Sequence, residues 1–229
     1  MIVHRFWAGR PMPEEYRAYG DAWMRLNLDT QVIDWTLEDI LADVPDALRA
    51  VLDDIIRRDD GRNGIEMYVQ IADVAGYFLV HTYGGIYVNC DMQPVRALPD
   101  PMPDVAWASL ENDTEQDVVN AAIGAPGPRN VFWAWLLDAL PSRYFANPTG
   151  EMTRTTGPGL LTDMARTPPE MIHIFPRNTF NPIHWSLVAP GGDASGFDYP
   201  PETIAVHHWG HKKDLRSNHV ETATQWAVP

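Results

Sequence analysis

The chain has 229 residues, 45% of them apolar, enough for one sizeable core and most simply a single domain over residues 1–229. Seventeen basic against 31 acidic residues give a net charge of −14 and a pI near 4.8, a balance that opposes nonspecific affinity for nucleic acid or an anionic membrane. A lone cysteine, Cys90, excludes an internal disulfide and suits a reducing compartment; no apolar run reaches the length of a membrane span, and the N-terminus lacks a secretory pattern, so a soluble cytoplasmic protein is expected.

In chain order, Ile2-Val3 and Phe6-Trp7 predict a first buried strand beginning almost at Met1. A Gly/Pro turn follows, and Pro13 opens a helix through Tyr16, Tyr19, Trp23 and Leu26. Gln31 to Trp35 reads as a second strand, after which Thr36 caps a short turn carrying Glu38 and Asp39. Ala47 to Arg57 predicts a helix whose paired acids and bases form a solvated face, with Asp59-Asp60-Gly61 as its C-terminal turn.

The stretch Glu66 to Asp91 organises the rest. Apolar residues at Met67, Tyr68, Ile71, Val74, Ala75, Phe78 and Leu79 have the spacing of an amphipathic helix ending at Tyr83. Gly84-Gly85 can take the left-handed conformation that closes it. Ile86-Tyr87-Val88 then has the β-branched and aromatic content of a buried strand. Because side chains alternate along a strand, Asn89 and Asp91 fall on one side and would project into a cleft beyond the strand end.

Further on, residues 105–108 and 118–123 are candidate strands around an acidic stretch, Glu111 to Asp117, which reads as an exposed hairpin loop with a cleft cover as the alternative. Asn130 to Leu140 is an aromatic-rich core helix. Thr155-Thr156-Gly157-Pro158-Gly159 is a tight turn feeding a helix N-terminus, whose backbone donors suit an oxygen-rich ligand. Met171 to Phe175 and Ile204 to His207 are late strands, separated in part by a Pro/Gly/Asp-rich loop from Pro190 to Pro201. In His207-His208-Trp209-Gly210-His211, adjacent strand residues point oppositely, so one of His207 and His208 should face the cleft.

Ile71-Ala72-Asp73-Val74, followed by Tyr83-Gly84-Gly85-Ile86-Tyr87-Val88-Asn89-Cys90-Asp91, resembles the DXD sugar-binding region of GT-A glycosyltransferases. That group holds capsular-polysaccharide and fungal mannosyl transferases and, more distantly, the clostridial glucosylating toxins. The opening His4-Arg5-Phe6-Trp7-Ala8-Gly9 and the Thr-Gly-Pro turn are similar to elements of the same family. The resemblance implies an α/β GT-A-like fold with a mixed central sheet flanked by helices. It implies a transferase that takes a sugar from a UDP- or GDP-linked donor to a hydroxyl-bearing acceptor, retaining configuration, with Mn²⁺ or Mg²⁺ as cofactor. It assigns catalysis to Asp73 and Asp91, the nucleotide-sugar to Phe6, Trp7, Asp73, Tyr87, Asn89 and Gly157, and the metal to Asp91 and His207. Trp7 is the residue expected to stack on the base; a core role is its alternative. Two positions depart from the pattern: the first acid of DXD is Asn89, and the helix arginine is Gly76. A noncatalytic nucleotide-sugar binder therefore stays open, as does a glycosyltransferase acting on modified DNA bases, which the acidic charge opposes.

Overall fold

The computed structural model describes residues 1–59, 64–112, 116–166, 169–188, 192 and 194–210. The apolar start of the chain forms β1 (Ile2–Phe6). Pro13 precedes α1 (Glu14–Leu26), which buries Tyr16, Tyr19 and Trp23. After β2 (Gln31–Trp35), Thr36 caps α2 (Leu37–Asp43) in a reciprocal box with Asp39, which satisfies two backbone donors at the helix start. The helix α3 (Asp46–Arg58) corrects one expectation. Its Asp53 pairs with Arg49 at the surface, but Asp54 is buried, bonded by Arg57 and Arg58, and accepts from the Tyr144 hydroxyl at 3.0 Å. Half of the charged face is thus an internal tie, because a buried carboxylate is tolerated only when partnered. Asp60 and Gly61 of the expected turn lie outside the described residues.

The central helix α4 (Gly64–Tyr83) is longer than its sequence pattern required and less amphipathic. From Asp73 to Val80 every residue is buried, so it threads the core instead of lying on it. Gly84 and Gly85 close it with φ of +69° and +77°, a conformation that costs other residues a steric penalty. His4 pins this turn: its Nδ1 accepts from the Trp35 indole at 3.1 Å, which leaves Nε2–H to donate to the Gly84 carbonyl at 3.0 Å.

There follow β3 (Gly85–Val88), β4 (Met92–Pro94), β5 (Ala106–Leu110), β6 (Val118–Ala125), α5 (Val131–Ala146), α6 (Met152–Thr155), α7 (Pro158–Ala165), β7 (Ile172–Phe175), α8 (Arg177–Phe180) and β8 (Ala205–His207). The large sheet runs β2-β1-β3-β6-β5-β7. It is mixed: β1 is parallel to β2 and β3, β6 is antiparallel to β3 and β5, and β7 is parallel to β5. The expected hairpin closes with Glu111 N–H on the Asp117 carbonyl at 2.8 Å, residues 113–115 lying outside the described residues, as do 189–191 and 193 of the Pro/Gly/Asp-rich region and His211.

Strand β4 and helices α6 and α8, each too short to show a period, escaped the sequence reading, and the turn expected after Thr36 is the helix α2. Strand β4 pairs with β8 in a separate ribbon, Met92 opposite His207, and this ribbon carries the C-terminal histidines to the sheet edge where β3 ends. Among the described residues no helix is long and apolar enough to cross a membrane.

Candidate active site

Because β1 and β3 run parallel, the chain leaves the sheet at the same edge after Phe6 and after Val88, and both exits line a cleft of about 420 Å³. Phe6 and Tyr87 belong to the core and contribute to its floor. Trp7 lies outside that core, half-buried on the cleft wall. Its indole N–H donates to the Arg10 carbonyl at 2.6 Å, the Arg10 guanidinium lies 5.7 Å from its ring centre, and Tyr16 meets it edge-on at 5.6 Å. These contacts fix the plane of the ring while the cleft adjoins it.

At the end of β3, the Asn89 N–H is bonded to the Ala121 carbonyl of β6 at 2.8 Å; Asn89, Cys90 and Asp91 all border the cleft, and a turn closed by Met92 N–H on the Asn89 carbonyl at 3.0 Å places them there, not strand alternation, since β3 ends at Val88. Asp91 is buried and accepts from the Gly210 backbone N–H at 2.6 Å through Oδ2. Its Oδ1 stands 3.3 Å from Nε2 of His207, whose ring makes no hydrogen bond among the described residues. His208 points away: its Nε2 is 2.9 Å from Gln93 Oε1 and its ring stacks on Tyr19. His207 is thus the cleft-facing histidine. Between Asn89 and Asp91, Cys90 donates to the Phe6 carbonyl at 3.3 Å, and burial pushes its thiol well above the ordinary range, so it packs as a small core residue and stays protonated.

Asp73 occupies the other side of the cleft, buried on α4. Asn120 Nδ2 donates to its Oδ1 at 2.8 Å and the Thr156 hydroxyl to its Oδ2 at 2.9 Å. Burial raises its pKa to about 7, against the opposing pull of those two bonds. Gly157 abuts the same carboxylate: a Cβ there would sit 3.1 Å from Oδ2. Gly76, one turn on, faces Tyr87, so the helix arginine of the resemblance has no room at this position. Tyr77 does not replace it; it is fully buried, with its hydroxyl 3.4 Å from the Gly157 carbonyl.

Asn120, Thr156 and Gly210 were missed as site residues. A faint signal existed for the first, an amide inside the otherwise apolar Val118-Val119-Asn120-Ala121-Ala122-Ile123, and for the second, a threonine directly before Gly157-Pro158. Their partner Asp73 is 47 and 83 residues away in the chain, and no local pattern reports that.

A mixed sheet with helices on its faces, and a strand end that presents an amide and an acid into a cleft lined also by a second buried acid, define an α/β, GT-A-like fold with one candidate site. Residues 13–111 match the family model described as the glycosyltransferase sugar-binding region containing a DXD motif. In fold the chain is similar to PaToxG glycosyltransferase, with a TM-score of 0.59 at 16% identity over 73% of this chain and 69% of that one. It is also similar to the glycosyltransferase domain from the YGT toxin, ligand-free (TM-score 0.54) and UDP-bound (0.51), both at 10% identity over 76% of this chain and 79% of that one. No curated protein matches the sequence.

Proposed function

We propose that the chain, acting as a single domain, transfers a sugar from a UDP- or GDP-linked donor to a hydroxyl of an acceptor, in a metal-dependent reaction that retains anomeric configuration. The observation that carries this reading is one cleft bordered by an aromatic face at Trp7, a buried acid paired with an imidazole at Asp91 and His207, and a second buried acid at Asp73. In that order they match the base, the diphosphate and the sugar of a donor.

The Asp91 and His207 pair fits a divalent cation. Among the described residues no group of three or more His, Cys, Asp or Glu is placed to share an ion, but Mn²⁺ and Mg²⁺ retain water and phosphate oxygens in their shell and need only one or two protein ligands. Two donor atoms 3.3 Å apart, one of them on a buried histidine with no hydrogen bond, suit adjacent positions around such an ion. When bound, Mn²⁺ or Mg²⁺ neutralises charge on the departing diphosphate.

The rest is done by side chains of this chain. Trp7 offers a ring face of fixed orientation to the base. Asn89 offers an amide to a ribose hydroxyl. Asp73 retains lone pairs on both oxygens after accepting from Asn120 and Thr156, and these receive sugar hydroxyls. The donor is thereby oriented so that the acceptor hydroxyl attacks C1 from the face that phosphate leaves, and the departing phosphate takes the proton, with no enzyme nucleophile invoked.

A noncatalytic nucleotide-sugar binder is the second reading, favoured by Asn89 and by the crowding of Gly76 against Tyr87, which removes a cation from the sugar end. One experiment separates them. Incubation with a panel of UDP- and GDP-hexoses and Mn²⁺ should release nucleoside diphosphate slowly as water takes the acceptor's place, the release vanishing in Asp91→Ala and falling in Asp73→Ala. Tight metal-dependent binding with no release, with or without a broad acceptor panel, would favour the binder.

A further inference from the structure

A second cavity, of about 590 Å³, opens against the first. Met152 and Thr153, in the first turn of α6, border both. The far walls of the second cavity are the N-terminal part of α4, through Glu66 and Gln70, and the turn Pro148-Thr149-Gly150-Glu151 before α6, with Tyr144 contributed by α5. Glu66, Gln70 and Asp73 are spaced four and three residues apart, so they form one ridge on α4 that runs from the second cavity into the first. The succession Trp7, Asp91 with His207, Asp73, Met152-Thr153 therefore continues past the sugar position into this second space.

Resting on the donor reading above, we propose that the second cavity is the acceptor site and that the acceptor is a neutral saccharide. Its lining is about equally polar and apolar, and the side chains of Glu66, Gln70, Thr149 and Thr153 make no hydrogen bond among the described residues. Carboxylate, amide and hydroxyl groups in this mixture accept from and donate to the several hydroxyls of a sugar ring. Ile55, Pro148 and Met152 supply apolar surface for the C–H face of such a ring. Glu66 and Glu151 oppose an anionic acceptor, and Asp54, bonded to Nε of Arg58, offsets the charge of that guanidinium. The volume lies within the range of sites for ligands of this size, roughly 300–1,000 Å³. Met152 and Thr153 mark the passage through which an acceptor hydroxyl reaches C1 of the donor sugar, displacing the nucleoside diphosphate and losing its proton to it.

The test uses the full chain, Mn²⁺, the nucleotide-sugar that it hydrolyses, and a panel of p-nitrophenyl hexosides and neutral disaccharides as probes. At least one saccharide should be glycosylated and should accelerate nucleoside diphosphate release. In Gln70→Ala and in Glu66→Ala the KM for that saccharide should rise about tenfold, the effect of losing one or two hydrogen bonds, while the nucleoside diphosphate Kd stays within about twofold of wild type. Thr149→Trp, which fills the cavity, should suppress transfer more than hydrolysis. Turnover of the donor with transfer to no saccharide, transfer to a polypeptide hydroxyl instead, or an unchanged saccharide KM in all three variants overturns the acceptor assignment and leaves the donor reading standing. Absence of both donor binding and donor turnover overturns the two together.

Discussion

A Cβ placed on Gly76 would stand 2.8 Å from the ring of Tyr87, closer than real packed atoms approach. The arginine expected at this position of the sugar-binding region would meet the ring of Tyr87, on the strand that leads into Asn89 and Asp91. Alanine normally stabilises an exposed helix relative to glycine by about 1 kcal/mol. Here the sign should reverse: Gly76→Ala is expected to destabilise the fold by about 1–3 kcal/mol through overpacking, measured as the urea midpoint at constant slope. A gain in stability would show that the ring yields freely.

The Asp91 and His207 pair makes a prediction about metal. In Asp91→Ala, Mn²⁺ should no longer strengthen nucleotide binding, and His207→Ala should weaken that response. Asn89→Asp should preserve or strengthen it by adding a carboxylate at the same strand end. Thermal stabilisation by UDP and GDP with and without Mn²⁺ reads all three through ligand linkage. An unchanged metal response in Asp91→Ala removes the assignment.

If the Trp7 face receives the base, Trp7→Ala should lower nucleotide affinity by about 1–3 kcal/mol, the scale of aromatic stacking on a base. The ring is half-buried on the cleft wall, outside the main core but packed on the small cluster of Tyr16, Tyr19 and Cys90, so the folding of the variant is checked first. Isothermal titration of the folded variant decides the point, and equal affinity returns Trp7 to a packing role.

Asp73 should give the protein a pH signature. Its carboxyl titrates at about 7 in the fold and near 3.9 in an unfolded chain. Between these values the folded state holds more protons, so the contribution of Asp73 to stability is greatest below about pH 4 and is lost as pH rises to about 7. Asp73→Asn lacks this loss. The stability difference between variant and wild type should therefore move in favour of the variant from pH 4 to 7 and level off above, in denaturation curves taken across that range. If the ionised carboxylate holds the sugar, wild-type kcat/KM should also rise through pH 7, a limb absent from Asp73→Asn.

Local patterns in the chain determined a good deal. The apolar spacing from Met67 to Leu79, the paired glycines at 84 and 85 and the β-branched run before Asn89 specify helix, turn and strand through near-neighbour sterics and periodicity. The alternation expected after Val88 does not apply, because β3 ends there and a turn from Asn89 to Met92 carries Asn89 and Asp91 to the cleft. What the sequence by itself did not determine is which distant groups meet these residues. Asp73 reads as a costly charge among apolar neighbours until the antiparallel β6 brings in Asn120 and the turn before α7 brings in Thr156. Asp91 meets His207 only because three-residue β4 and β8, too short to carry a period, pair in register with Met92 opposite His207. Such pairings are set by long-range packing and backbone hydrogen bonding, whose free energy depends on the whole folded chain, and so only the tertiary structure decided them.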